Sequence, residues 1–224
     1  MTSPAADLAG SPTSTAVTRP ATLLAVGRVA ALAALVLCVL LQAIDHDFFP
    51  PQISVSQYGI GPNGWIFTAW TVLTAIAVLT LHAGEPANGH HFGYWLVIGS
   101  IGLVTMGVVR TDAGGLQQSW HAKVHMVGSI VALVALPIGM AMAMTWARAR
   151  WRRTAWILVL VSAGALIMVL LSATGSATWG MDSPHSWAFW QSVAVTVDMV
   201  LLSTFALATF SRPRDPDPGP RALV

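Results

Sequence analysis

The chain has 224 residues, of which 55% are hydrophobic and only 9% charged, with a mean hydropathy of +0.67. That leaves too little polar surface for a soluble domain of this length, and the composition belongs to the membrane class. The net charge of +2 and pI near 9.2 do not imply a nucleic-acid partner, because the basic residues flank hydrophobic stretches, where they anchor topology and meet anionic lipid. The single cysteine, Cys38, lies within such a stretch and excludes both an intrachain disulfide and a cysteine-based zinc motif.

Residues 1–20 are rich in Ser, Thr, Ala and Pro without periodicity and read as a disordered cytoplasmic tail. Six spans follow over residues 21–210, at about Ala21 to Ile44, Trp65 to His82, Phe92 to Val109, Ala122 to Ala147, Thr154 to Thr174 and Trp187 to Phe210. The fold class is therefore all-α, a polytopic bundle of six transmembrane helices. Seven tryptophans, among them Trp65, Trp120, Trp151 and Trp187, fall near span ends, where amphipathic rings favour the headgroup zone. Residues 211–224 are Pro-rich and read as a second disordered tail.

Nine of the eleven Lys and Arg residues fall on one side of this topology: Arg19, Arg28, Arg148, Arg150, Arg152, Arg153, Arg212, Arg214 and Arg221. Arg110 and Lys123 are the exceptions. Cytoplasmic loops carry the excess of basic residues, so both termini and the short turn over residues 148–153 are expected in the cytoplasm, in a multi-pass protein of the plasma membrane. Pro137 inside span 4 predicts a local opening of the helix. Gly99, Gly102 and Gly107 in span 3, and Ser162 with Gly164 in span 5, predict close helix approach.

Polar residues that bear on chemistry gather on the outer side. His121 and His125 sit four apart at the start of span 4, so a helix puts both imidazoles on one face, the spacing used by helical metal sites. Zinc needs a further ligand, for which His185, Asp182 or Asp112 is available from the adjoining loops. The alternative is a pair of interfacial histidines hydrogen-bonded to loop carbonyls. Arg110 either pairs with its neighbour Asp112 or clamps an anionic headgroup. Ser56 is a turn residue unless a base such as His46 or His121 lies beside it. Asp198 lies near the middle of span 6, where a carboxylate is costly and faces the bundle interior. Gln191 is seven residues earlier on nearly the same face, so the two form a polar line from the outer surface. Alternatively, Asp198 is a hydrogen bond that glues span 6 to span 1 or 4.

The segments SVSQYG before span 2, GVVRTD at the end of span 3 and HAKVH opening span 4 resemble the bacterial membrane proteins grouped as domain of unknown function 998. The likeness covers about Ala21 to Phe210 and implies six helices without an agreed activity. A weaker likeness is to the alkaline ceramidase and adiponectin-receptor hydrolases, which use His, Asp and Ser around zinc. Those have seven spans, and only His121, His125 and an outer Asp are comparable here.

Two functions stay open. In a metal-dependent lipid hydrolase, His121, His125 and His185 or Asp182 hold zinc, a bound water attacks, Asp112 assists as base and Arg110 holds the headgroup. In a non-enzymatic protein that binds or transports a lipid or small molecule, Asp198 and Gln191 line the pathway.

Overall fold

The computed structural model describes residues 21–44, 53–84, 93–115, 118–175 and 183–210. Six α-helices make up almost all of them: α1 Ala21–Ile44, α2 Gly64–Ala83, α3 Gly93–Val108, α4 Trp120–Ala143, α5 Ala149–Ala173 and α6 Ser183–Ala208. Five are long and apolar enough to cross a membrane, and no strand occurs among the described residues. The exception is α3, whose 16 residues rise about 24 Å, short of a hydrocarbon core of roughly 30 Å. This is a bundle of helices in contact with a lipid bilayer, as the composition requires. The two expected tails, residues 1–20 and 211–224, lie outside the described residues.

Consecutive helices are neighbours throughout, with the broadest contacts between α1 and α2, α3 and α4, and α5 and α6. In addition α6 touches α1, α2 and α4, and so closes the bundle. The helices α1 and α5 leave wide apolar faces outward, including Val29, Leu32, Leu160 and Ile157, each at least 60% exposed. In water such faces would drive association; in a bilayer they are solvated by acyl chains. The core between the helices holds Phe67, Trp70, Leu96, Met140, Leu202 and Phe205.

Small residues set the helix separations. A Cβ on Gly102 would stand 2.7 Å from the Gly128 carbonyl oxygen and 2.8 Å from Ala132 N, so α3 and α4 touch backbone to backbone. Gly99 faces Leu136, and Gly107 meets the Thr71 hydroxyl, as expected for close approach. Gly164 differs: nothing lies within 4 Å of its Cβ position, and it faces outward from α5. Its neighbour Ser162 is buried and serves a polar contact instead. Pro137 is buried within α4, which continues across it as a single helix.

Candidate functional site

One end of the bundle carries Arg28, Arg148, Arg150, Arg152 and Arg153, the other the turns that hold Ser56, Asp112 and Ser119. The second end is built around Asp112. Its Oδ2 accepts hydrogen bonds from the backbone N–H of Gln118 and Ser119, both at 2.8 Å, and its Oδ1 accepts from the Ser119 hydroxyl at 2.5 Å. Ser119 Oγ in turn accepts from Ala122 N at 3.1 Å, which makes Ser119 the N-cap of α4. Donation from the Ser119 hydroxyl, then from its N–H, holds the Asp112 carboxyl below its ordinary range, with a smaller contribution from His121. Gln57 clamps the turn from the side: its Nε2 donates to the Asp112 carbonyl and its Oε1 accepts from Gly114 N, each at 3.0 Å. Gly114 takes a left-handed φ of 71°, which brings that N–H round to Gln57.

Asp112 is thus bound up in scaffold. Arg110 is exposed and not among its partners, so the ion pair expected from proximity does not form. Instead His121 Nε2 stands 3.3 Å from Asp112 Oδ1, with the His121 side chain 44% exposed.

His125, one turn on, is buried. Its Nδ1 lies 2.7 Å from the Val109 carbonyl, with the Met106 carbonyl also in reach of the ring. The ring stacks at 6.4 Å on Phe67. A carbonyl only accepts, which assigns the proton to Nδ1 and leaves Nε2 of the neutral ring as an acceptor. That Nε2 is buried without a partner among the described residues. The two histidines share a helix face by sequence spacing, yet one ring points to the surface carboxylate and the other into the bundle. His185 is partly buried in the first turn of α6, and Asp182 lies outside the described residues. Among the described residues, no three His, Cys, Asp or Glu side chains gather where they would hold a metal.

Deeper, the polar line on α6 is present, with partners the sequence did not indicate. Gln191 Nε2 donates to Ser56 Oγ at 3.1 Å, and Gln191 Oε1 is buried without a partner among the described residues. Asp198 Oδ1 accepts from Ser162 Oγ at 2.7 Å, so the helix tied to α6 is α5, a correction to the expected α1 or α4. Arg28, the cation within a span, is engaged elsewhere: its Nε donates to Thr209 Oγ1 at 2.9 Å and its guanidinium lies 3.6 Å from the centre of the Phe210 ring.

Two spaces meet at Gln191. A cleft of about 390 Å³ between α4, α5 and α6 is lined by apolar residues such as Ile130, Leu166 and Leu170, by Trp187, and by the polar Ser56, His125, Ser129 and Gln191. A narrow inner cavity of about 40 Å³ runs between α2, α3, α4 and α6 to Asp198, past Phe67, Trp70 and Met199. At about 10–15 Å³ per water it has room for roughly three. Ser56, Leu133 and Gln191 line both spaces, so the Ser56–Gln191 hydrogen bond is part of the wall between them.

The three segments SVSQYG, GVVRTD and HAKVH converge here, through Gln57 on Asp112, His125 on Val109 and His121 on Asp112. A family model described as protein of unknown function, DUF998, matches residues 29–208. The chain belongs to this family. As a DUF998 protein it is matched from within α1 to the last residue of α6, so the cleft, the inner cavity and the Asp112 turn all fall inside the matched region. No curated protein and no solved structure matches the chain. Sequence reasoning missed the Ser56–Gln191 and Ser162–Asp198 pairs, which join residues 135 and 36 positions apart. The Ser119 cap was missed as well, although a Ser directly before an apolar helical run is the signal that marks one.

Proposed function

We propose that this integral membrane protein binds a small amphiphile, a lipid or lipid-like molecule, in the cleft between α4, α5 and α6. The observation that carries the reading is the make-up of that cleft, apolar walls with buried polar side chains among them at the loop end of the bundle. Binding pockets are mostly apolar with a few placed polar groups, and this one has the volume for a short-chain ligand. The hydrolytic version requires His121, His125 and His185 or Asp182 to converge on zinc. The engagement of His121 with Asp112, and of His125 with the Val109 carbonyl, favours binding over turnover. Transport is the second reading, favoured by the inner cavity beyond the Ser56–Gln191 bond, through which a proton or small solute would reach Asp198.

The orientation proposed is that of a plasma-membrane protein with both termini in the cytoplasm and the cleft opening toward the outer leaflet. Its support is the division of charge: Arg28 and Arg148 to Arg153 at one end, against Arg110 and Lys123 at the other.

Trp187, in the lining of the cleft, supplies the test. A brominated decyl amphiphile added to protein in nanodiscs should quench Trp187 with a saturable component that Trp187→Phe removes. Quenching that rises only in proportion to bilayer partitioning, unchanged by Trp187→Phe, would overturn the reading.

A further inference from the structure

Resting on that reading of the cleft, we infer that the polar end of the bound amphiphile carries a hydrogen-bond donor, a hydroxyl or an ammonium group, and docks between His125 and Gln191. The lining of the cleft offers acceptors. His125 Nδ1 is committed to the Val109 carbonyl, so its proton is spent there and Nε2 presents a lone pair. Gln191 donates one of its two amide N–H groups to Ser56, and its Oε1 is a second acceptor. The Ser129 hydroxyl donates to the His125 carbonyl at 2.9 Å and also has only lone pairs left.

His125 Nε2 and Gln191 Oε1 are both buried, on residues 2% and 7% exposed, and neither has a partner among the described residues. Buried acceptors are normally met, and the two residues that carry these line the same cleft. A ligand ammonium has the protons to meet both, and a hydroxyl, with one proton, meets one of them. A carboxylate or phosphate oxygen sets acceptor against acceptor, and an ether leaves both unmet. The two open acceptors therefore favour a donor headgroup over an ether or an anion, whatever the chain that fills the apolar walls.

Four probes separate these cases in nanodiscs: 10-bromodecan-1-ol, 10-bromodecylamine, 1-bromo-10-methoxydecane and 10-bromodecanoate. Each is read by saturable, Trp187-dependent quenching at equal mole fraction in the bilayer. The alcohol or the amine should bind roughly tenfold more tightly than the methyl ether, the scale expected when a site built to hydrogen-bond is left unpaired, with decanoate weakest. Preference for the alcohol identifies a hydroxyl ligand, and preference for the amine an ammonium ligand. His125→Phe keeps a ring against Phe67 but removes the acceptor, and should bring the preferred probe down to the level of the ether. If that variant does not fold, Gln191→Leu tests the second acceptor in the same way. Equal saturable binding of alcohol, amine and ether, or tightest binding of decanoate, would overturn the donor inference while leaving the amphiphile cleft in place. No saturable component with any probe would overturn the cleft reading itself.

Discussion

The backbone contact at Gly102 sets the distance between α3 and α4, and it fixes the position of His125. Gly102→Ala would put a Cβ 2.7 Å from the Gly128 carbonyl oxygen, about 0.7 Å inside the 3.4 Å at which ordinary contact begins. The opposing atoms are backbone, so the helices must separate rather than a side chain swing away. Overpacking of this kind costs about 1–3 kcal/mol, partly offset by about 1 kcal/mol of helix propensity gained on replacing Gly. Gly164→Ala gains the same propensity with open space around it, so the difference between the two variants isolates the packing cost. Val109 lies two turns beyond Gly102 on the same side of the interface, and its carbonyl is 2.7 Å from His125 Nδ1. The forced separation should stretch that bond as well. Thermal unfolding in detergent should therefore rank Gly102→Ala clearly below Gly164→Ala, and the downfield imidazole N–H resonance of His125 should move upfield in the first variant alone. Equal unfolding temperatures would refute the claim that α3 and α4 touch through their backbones.

Four further outcomes are expected. The depressed pKa of Asp112 contributes stability that is complete above the ordinary carboxylate value of 3.8 and is lost as pH falls through the lower folded value; amide exchange in the first turn of α4 should show this acid-dependent opening in wild type and not in Asp112→Asn. Asp198→Asn keeps an oxygen for Ser162 to donate to, so it should unfold within about 0.6 kcal/mol of wild type, the average worth of an interhelical hydrogen bond in a membrane; strong destabilisation would instead mean a buried ion pair. Elemental analysis of gently purified protein should find no stoichiometric zinc, and one zinc per chain lost on replacing His121 and His125 would restore the hydrolytic mechanism. A reporter active only outside the cytoplasm should be silent when fused at Arg150 and active at Ala113, and the reverse at Arg150 would invert the orientation.

Helix positions were legible because apolar runs of this length have few alternatives, and α1 coincides with the expected Ala21 to Ile44. The ends that differ do so for one reason: polarity marks where the lipid stops, whereas the helix stops where backbone hydrogen bonding does. Thus α5 begins at Ala149, taking in Arg150, Arg152 and Arg153, rather than at Thr154, and α4 begins at Trp120 under its Ser119 cap. The burial of Asp198 and its alignment with Gln191 could be read from position on one helix. Their partners could not, because Ser162 and Ser56 reach them only through the packing order of the helices. Likewise the four-residue spacing of His121 and His125 places the rings on one face, but the destinations of those rings depend on Asp112 and the Val109 carbonyl, which belong to another segment.

The contact of Arg28 with Thr209 and Phe210 joins the first helix to the turn just after the final one. During synthesis, α1 enters the bilayer long before those residues leave the ribosome. Until they arrive, the guanidinium must reach for lipid headgroups along its own methylene stem. That contact can therefore close only after all six helices have been made.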